Sequence, residues 1–279
     1  MPAERKTFDP FDPNVGVEVS AETYPAHSRA HAVRLFRPLK ARAPLPVIVL
    51  VHGGDFVSGA IEDAAAMAAT LAARMHALVA TPAYTLAGDK PFPEAAEDVY
   101  AAIRWAHASA SRRGADSRRV VILGEEAGGN LAAVAALMAK DRGGPRLAAQ
   151  ILMFPMLDPT LTTRSMLDAA PESGGRSVAR CMAAYRRYLP SASDRLHPYA
   201  APAHCSRLAG VAPALIISAE GDPLRDEAED YAAALIASGV TTQVSRLARV
   251  AGEMHRWSEA TWGTIVDFLG PRLVHAGRP

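Results

Sequence analysis

Cysteine is scarce: only Cys181 and Cys205 occur in 279 residues, too few and too far apart for a disulfide framework or a cysteine metal cluster. A charge excess of one sign is missing as well. Lys+Arg number 30 against 29 Asp+Glu, a formal net charge of +1, which leaves no electrostatic footprint for nucleic acid or an anionic membrane surface. No segment offers the roughly twenty uninterrupted apolar residues of a membrane span, and the opening MPAERKTFDP has no apolar core of signal-peptide type. The expectation is a cytoplasmic protein that engages neither nucleic acid nor membrane. It acts on a small-molecule substrate, as a monomer or homodimer, without cofactor or metal.

What is present is a regular alternation. Residues 15–20 and 32–37 alternate apolar with polar, as half-buried antiparallel strands do. Continuous apolar runs at 46–51, 77–81, 120–123, 147–154 and 213–219 read as buried strands, and 241–247 as a last one. Helical spacing fills 62–76, 93–108, 128–140, 178–189, 225–238 and 258–274. Strand and helix taking turns imply an α/β fold, a mostly parallel central sheet with helices on both faces, whose ligands bind beyond the carboxyl ends of the strands. At 49% hydrophobic composition the chain can fill one large core, so residues 1–279 are expected as a single domain. The irregular stretch 157–207 is too long for an ordinary connection and is read as a small cap over that end of the sheet.

The stretch RVVILGEEAGGNLAAVAALMAK, residues 119–140, organises the rest. A short apolar strand runs into Gly124, Glu125, Glu126, Ala127, Gly128 and then into an Ala-rich helix. Glycines two positions either side of a central residue let the chain reverse sharply and lift that residue above the sheet, the spacing of a GxSxG nucleophile elbow. The central residue here is Glu126, and no Ser, Thr or Cys in the chain has glycine two positions before and after it. A GxxxG before a helix is also a common turn without chemistry, so the neighbouring motifs decide its meaning.

Those neighbours are HGGDFVSG at 52–59, KPFPEAAEDVYAAIRW at 90–105, FPMLDP at 154–159, HPYAAP at 197–202, PALIISAEGDPLRDEAEDYA at 213–232 and EMHRW at 253–257. Together with GEEAGGNLA at 124–132 they resemble the hormone-sensitive-lipase-like branch of the α/β-hydrolase fold, the branch of acetyl esterases and plant carboxylesterases. The resemblance implies an α/β-hydrolase fold over nearly the whole chain. It places Glu126 at the nucleophile position, Asp222 at the triad acid and His255 at the base. The oxyanion-hole and substrate-binding positions are Gly53, Gly54, Asp55 and Ala127. Two residues depart from the family pattern: Glu126 stands where members carry Ser, and Asp55 where HGGG has its third glycine. Thr85 after Tyr84 is a smaller departure, since members usually have Arg there.

Backbone N–H groups at a helix start favour a carboxylate at Glu126, and a nearby His255 would tend toward imidazolium. Three readings follow. In the first, Glu126 and His255 act as acid and base on a small metabolite, with Asp55 as a second carboxylate. The outcome would be elimination, isomerisation or cyclisation in secondary-metabolite biosynthesis, and this is the main expectation. In the second, the site is a carboxylate-based hydrolase of an ester, lactone or epoxide. In the third, the glutamate fills the oxyanion hole and leaves a small-molecule-binding pseudo-hydrolase. Elsewhere, His27 and His31 are read as surface histidines rather than a metal site. Arg186 and Arg187 are either anion ligands or a solvated helix face, and Met153, Phe154 and Met156 are pocket wall or core.

Overall fold

Apolar runs without charge are stable as strands where both faces are covered, and the computed structural model places such runs at the centre of one sheet. The structure describes residues 16–27, 29–40, 44–169, 177–248 and 257–273. The strands are β1 (Val17–Pro25), β2 (Ala30–Pro38), β3 (Leu45–Val51), β4 (Leu78–Pro82), β5 (Ala115–Glu125), β6 (Ala149–Met153), β7 (Ala214–Ala219) and β8 (Thr242–Leu247). They form an eight-stranded sheet in the order β1-β2-β4-β3-β5-β6-β7-β8. β2 pairs antiparallel with both β1 and β4, and every pairing from β4 through β3 to β8 is parallel. The helices are α1 (Ala65–Met75), α2 (Glu94–Ser109), α3 (Ala127–Asp141), α4 (Arg164–Leu167), α5 (Val178–Tyr188), α6 (Arg225–Ala237) and α7 (Glu259–Leu273).

The period of two along a strand divides the core. In β3, Val47, Val49 and Val51 join one buried cluster with Leu131, Val134 and Leu137 of α3. Ile48 and Leu50 face the opposite cluster with Leu71 of α1 and Phe268 and Leu269 of α7. Each such side chain contributes roughly 1.5–3 kcal/mol by leaving water, and the polar residues buried in the central strands, Gln150 and Ser218, have hydrogen-bond partners.

Three elements differ from the sequence expectation. β1 alternates apolar with polar, yet it is the sheet edge with one strand partner, and Tyr24 is its one buried residue. β5 begins five residues before its apolar run, because Ala115 pairs with Leu45 across the sheet while Asp116 is satisfied by Arg118 and Arg119 at the strand's start. The one-turn helix α4 carries no apolar periodicity of its own. It is held by Ser165, whose hydroxyl donates to the Pro223 carbonyl at 2.7 Å and whose N–H donates to the Asp226 carboxylate at 2.6 Å.

Parallel pairing points the carboxyl ends of β3, β5, β6 and β7 the same way. The loops that leave them start at residues 52, 126, 154 and 220, so four of the motifs read from the sequence share one edge. The β6–β7 connection, the stretch expected as a cap, carries α4 and α5. Among the described residues no helix is long and apolar enough to cross a membrane.

Candidate active site

β5 ends at Glu125 and α3 starts at Ala127, so Glu126 alone turns the chain. It does so at φ 55° and ψ −117°, a conformation that costs a non-glycine residue on the order of 1–3 kcal/mol. Backbone contacts hold it there. The Glu126 N–H donates to the Met153 carbonyl at 2.9 Å, and the Glu126 carbonyl accepts from Asn130 and Met156 amides, each at 3.1 Å. The buried Asn130 side chain then donates to the carbonyls of Met156 at 2.7 Å and Ala200 at 3.0 Å. The flanking glycines are required by contact. A Cβ on Gly124 would lie 2.0 Å from the Gly128 oxygen, and one on Gly128 would lie 2.3 Å from the Val51 oxygen and 2.4 Å from that of His52. The elbow is therefore pressed against the turn that follows β3.

That turn is residues 52–59. Gly54, Asp55 and Phe56 all have positive φ, at 117°, 55° and 63°; left-handed backbone is tolerable for Asp but unfavourable for a bulky Phe. The Glu126 carboxylate faces it closely, since a Cβ on Gly53 would stand 3.3 Å from Glu126 Oε2. Asp55 is 5% exposed. Its Oδ2 accepts from the Arg180 Nε of α5, while its buried Oδ1 has no hydrogen-bond partner among the described residues. The carboxylate that the sequence offered as a second acid–base group is thus ion-paired to α5. Phe56 is fully buried and stacks on Tyr188 of α5, centroids 4.0 Å apart at 3°.

Beneath the turn, the His52 ring stacks on Tyr84 at 4.3 Å, and the Tyr84 hydroxyl donates to the His52 carbonyl at 3.1 Å. Burial lowers the His52 imidazole below its usual range, against the pull of the Gly53 carbonyl and the nearby acids Asp63 and Glu62. Burial above all, then Tyr188 and the carboxylates of Glu126 and Asp55, drive the Tyr84 phenol upward, so it stays a donor. This layer is built from uncharged groups.

Asp222 follows β7 at the same edge of the sheet, where its Oδ1 accepts the Leu224 N–H at 2.9 Å as α6 begins. His255 lies outside the described residues. Gly53 and Gly54 stand beside Glu126, with Asp55 next in the same turn and Ala127 opening α3. A cavity of about 360 Å³ opens beside them, lined by Gly53, Gly54, Ser58, Met67, Glu126 and Trp257 among others, enough for a small substrate.

Other sequence candidates fall differently. His27 is exposed, but His31 is not a surface residue. It is 5% exposed and its Nε2 lies 3.0 Å from Oδ2 of the fully buried Asp98, which also accepts the Thr85 N–H at 2.9 Å. Folding β2 beside α2 supplies a carboxylate that sequence spacing did not indicate. Arg186 and Arg187 are an exposed helix face, and Met153, Phe154 and Met156 are fully packed in the two core clusters. Sequence reading missed Arg180 and Tyr188. The signal available was Asp55 itself, because an acid in a buried turn demands a cation.

Residues 48–258 match the family described by the alpha/beta hydrolase fold. The chain is similar to the carboxylesterase NlhH of Mycobacterium tuberculosis, 35% identical over 215 residues that cover 76% of this chain and 67% of that protein. It is similar also to an ethyl acetate hydrolase of Pseudomonas putida, 30% identical over 269 residues, covering 94% and 81%. Among solved structures, a thermostable esterase from Pseudomonas putida superposes with a TM-score of 0.87 at 30% identity, covering 96% of this chain and 86% of that one. The expectation of non-hydrolytic acid–base chemistry on a metabolite is corrected here. Relatives that share most of the chain are named for ester hydrolysis.

Proposed function

Because the chain belongs to the α/β-hydrolase fold family, we propose that it hydrolyses a small ester, using Glu126 as a carboxylate base in place of the family's serine. One observation carries this reading: a glutamate occupies the strained elbow, its carboxylate directed at the turn after β3.

Chemistry selects the role of base over that of nucleophile. If Glu126 attacked the ester carbonyl, the adduct would hold a carboxylate and an alkoxide as rival leaving groups. The carboxylate, from an acid of pKa about 4.3 in its free form, is much the better one and would depart, restoring the reactants. With water as the nucleophile the rivals are hydroxide and alkoxide, which leave about equally well, and a proton delivered to the alkoxide draws collapse forward. In the proposed step Glu126 removes a proton from water as the water oxygen bonds to the carbonyl carbon. Negative charge passes to the carbonyl oxygen, which the amides of Gly54, Asp55 and Ala127 receive. The carbon–alkoxide bond then breaks, and the alkoxide leaves with a proton from His255, oriented by Asp222. Glu126 passes its proton to His255, which restores both groups, and acid and alcohol depart. A positioned base of this kind contributes about 10² to 10⁴ in rate.

The test is hydrolysis of p-nitrophenyl acetate by the natural protein, Glu126→Gln and Glu126→Ser. The natural protein should turn the ester over, and Glu126→Gln should lose about 100-fold or more in kcat with its fold intact. No covalent adduct should be seen by mass spectrometry in the natural protein, whereas Glu126→Ser should accumulate an acyl-enzyme. Retention of kcat within threefold in Glu126→Gln would remove Glu126 from the chemistry.

A further inference from the structure

The turn that carries the oxyanion amides holds two non-glycine residues in left-handed backbone, Asp55 and Phe56; the Gly54 carbonyl closes it by accepting the Val57 and Ser58 N–H groups at 3.1 and 2.9 Å, and the two side chains find their partners elsewhere. Both are gripped from one place. Arg180 and Tyr188 lie eight residues apart on α5, two helical turns along nearly one stripe; the first pairs with Asp55 and the second stacks on Phe56. The start of α5 is anchored too, since the Ser177 hydroxyl accepts the Arg180 N–H at 3.2 Å.

We propose that Arg180 is a positioning residue for hydrolysis: its ion pair with Asp55 holds the residues 53–56 turn so that the amides meet the developing oxyanion. The proposal rests on the ester-hydrolase reading of the site. The pair is asymmetric. The Arg180 side chain is 51% exposed and that of Asp55 7%, so a lost pair leaves the arginine in water and a buried carboxylate unbalanced. A carboxylate in that position turns toward solvent, and at a positive φ its backbone turns with it. The Asp55 N–H is one of the proposed donors, so the displacement falls on the reaction rather than on substrate binding. Members of the family with glycine at this place have no side chain for an α5 cation to hold.

The experiment is a double-mutant cycle on the full chain with Arg180→Met, which keeps the apolar stem and removes the charge, and Asp55→Gly. With Asp55 present, Arg180→Met should lower kcat for p-nitrophenyl acetate about tenfold or more and leave KM within about threefold, as expected for misplaced oxyanion donors. Arg180→Lys should recover part of the loss. In the Asp55→Gly protein the same Arg180→Met change should alter kcat less than about twofold. Equal losses in both backgrounds would overturn the proposal, as would no loss in the first. If Asp55→Gly does not fold, Asp55→Asn serves as the uncharged reference. Hydrogen exchange at the amides of residues 53–57 separates this idea from the activity it rests on. Arg180→Met should speed exchange there at least about tenfold where Asp55 is present and not where Gly replaces it. A natural protein inert toward esters ends the ester-hydrolase reading, and the exchange result then decides whether Arg180 holds the turn; equal exchange in the two backgrounds shows that it does not.

Discussion

Two turns with strained backbone face each other at the carboxyl edge of the sheet, and they are held by different means. The elbow at Glu126 is fixed by its own neighbours: glycines at 124 and 128 that admit no Cβ, and hydrogen bonds from the adjoining β6 and α3. The turn at residues 53–56 closes on its own backbone too, the Gly54 carbonyl accepting from the Val57 and Ser58 amides and the Phe56 carbonyl from Ala87, but its Asp55 and Phe56 side chains are held by α5, more than a hundred residues further along the chain. A turn secured by backbone contacts survives a change of its central side chain, which is how a glutamate can stand at the elbow. A turn secured by remote side chains depends on those partners.

Substitutions can break that comparison at either end. The largest effect belongs to Gly128→Ala. A methyl group 2.3 Å from the Val51 oxygen and 2.4 Å from that of His52 forces backbone apart, so we expect a loss of about 4 kcal/mol or more in denaturant unfolding. A smaller loss would mean that the elbow is looser than its contacts imply. Next, Asn130→Ala removes the side chain that ties α3 to the carbonyls of Met156 and Ala200 and should cost about 1–3 kcal/mol by the same measurement. On the other turn, Phe56→Leu keeps apolar bulk but loses the parallel stack on Tyr188. It should cost about 1 kcal/mol, and kcat should fall by more than the stability change would suggest if α5 sets the turn's geometry.

The buried pair His31–Asp98 between β2 and α2 offers a test by pH. Burial raises the Asp98 carboxyl, but hydrogen bonds from His31 and Thr85 outweigh it, and the net shift is downward. A carboxyl depressed in the folded state contributes stability that is complete above its unfolded pKa of about 3.9 and lost as pH falls through the folded value. Asp98→Asn should therefore be less stable than the natural protein at pH 7, by about 1–3 kcal/mol. The gap in unfolding midpoint should narrow below about pH 4; a gap independent of pH would assign the loss to geometry instead of charge. Least affected of all, Arg186→Ala and Arg187→Ala on the exposed side of α5 should stay within about 0.5 kcal/mol in the same unfolding measurement.

Apolar runs and turn residues were enough to locate β3 to β8, the long helices and the elbow, because each rests on a local rule: period two, period 3.6, or glycine spacing. The one-turn α4 and the exposed edge strand β1 escaped those rules. Their environment is set by what packs on them, Pro223 and Asp226 in one case and a single neighbouring strand in the other. Within the site, the glycine turns were legible from sequence. The partners Arg180 for Asp55 and Asp98 for His31 were not, since side chains 125 and 67 residues apart meet only through the order of the sheet and the path of the β6–β7 connection.

The sequence by itself determined the alternating fold, the family resemblance and the presence of an acid where an elbow demands its central residue, for these depend on short-range pattern and on residue identity. Tertiary structure alone decided that Asp55 is ion-paired, that His31 is buried, and that α5 meets the residues 53–56 turn. Charge state and burial are properties of surroundings, and surroundings are assembled only when distant segments of the chain pack.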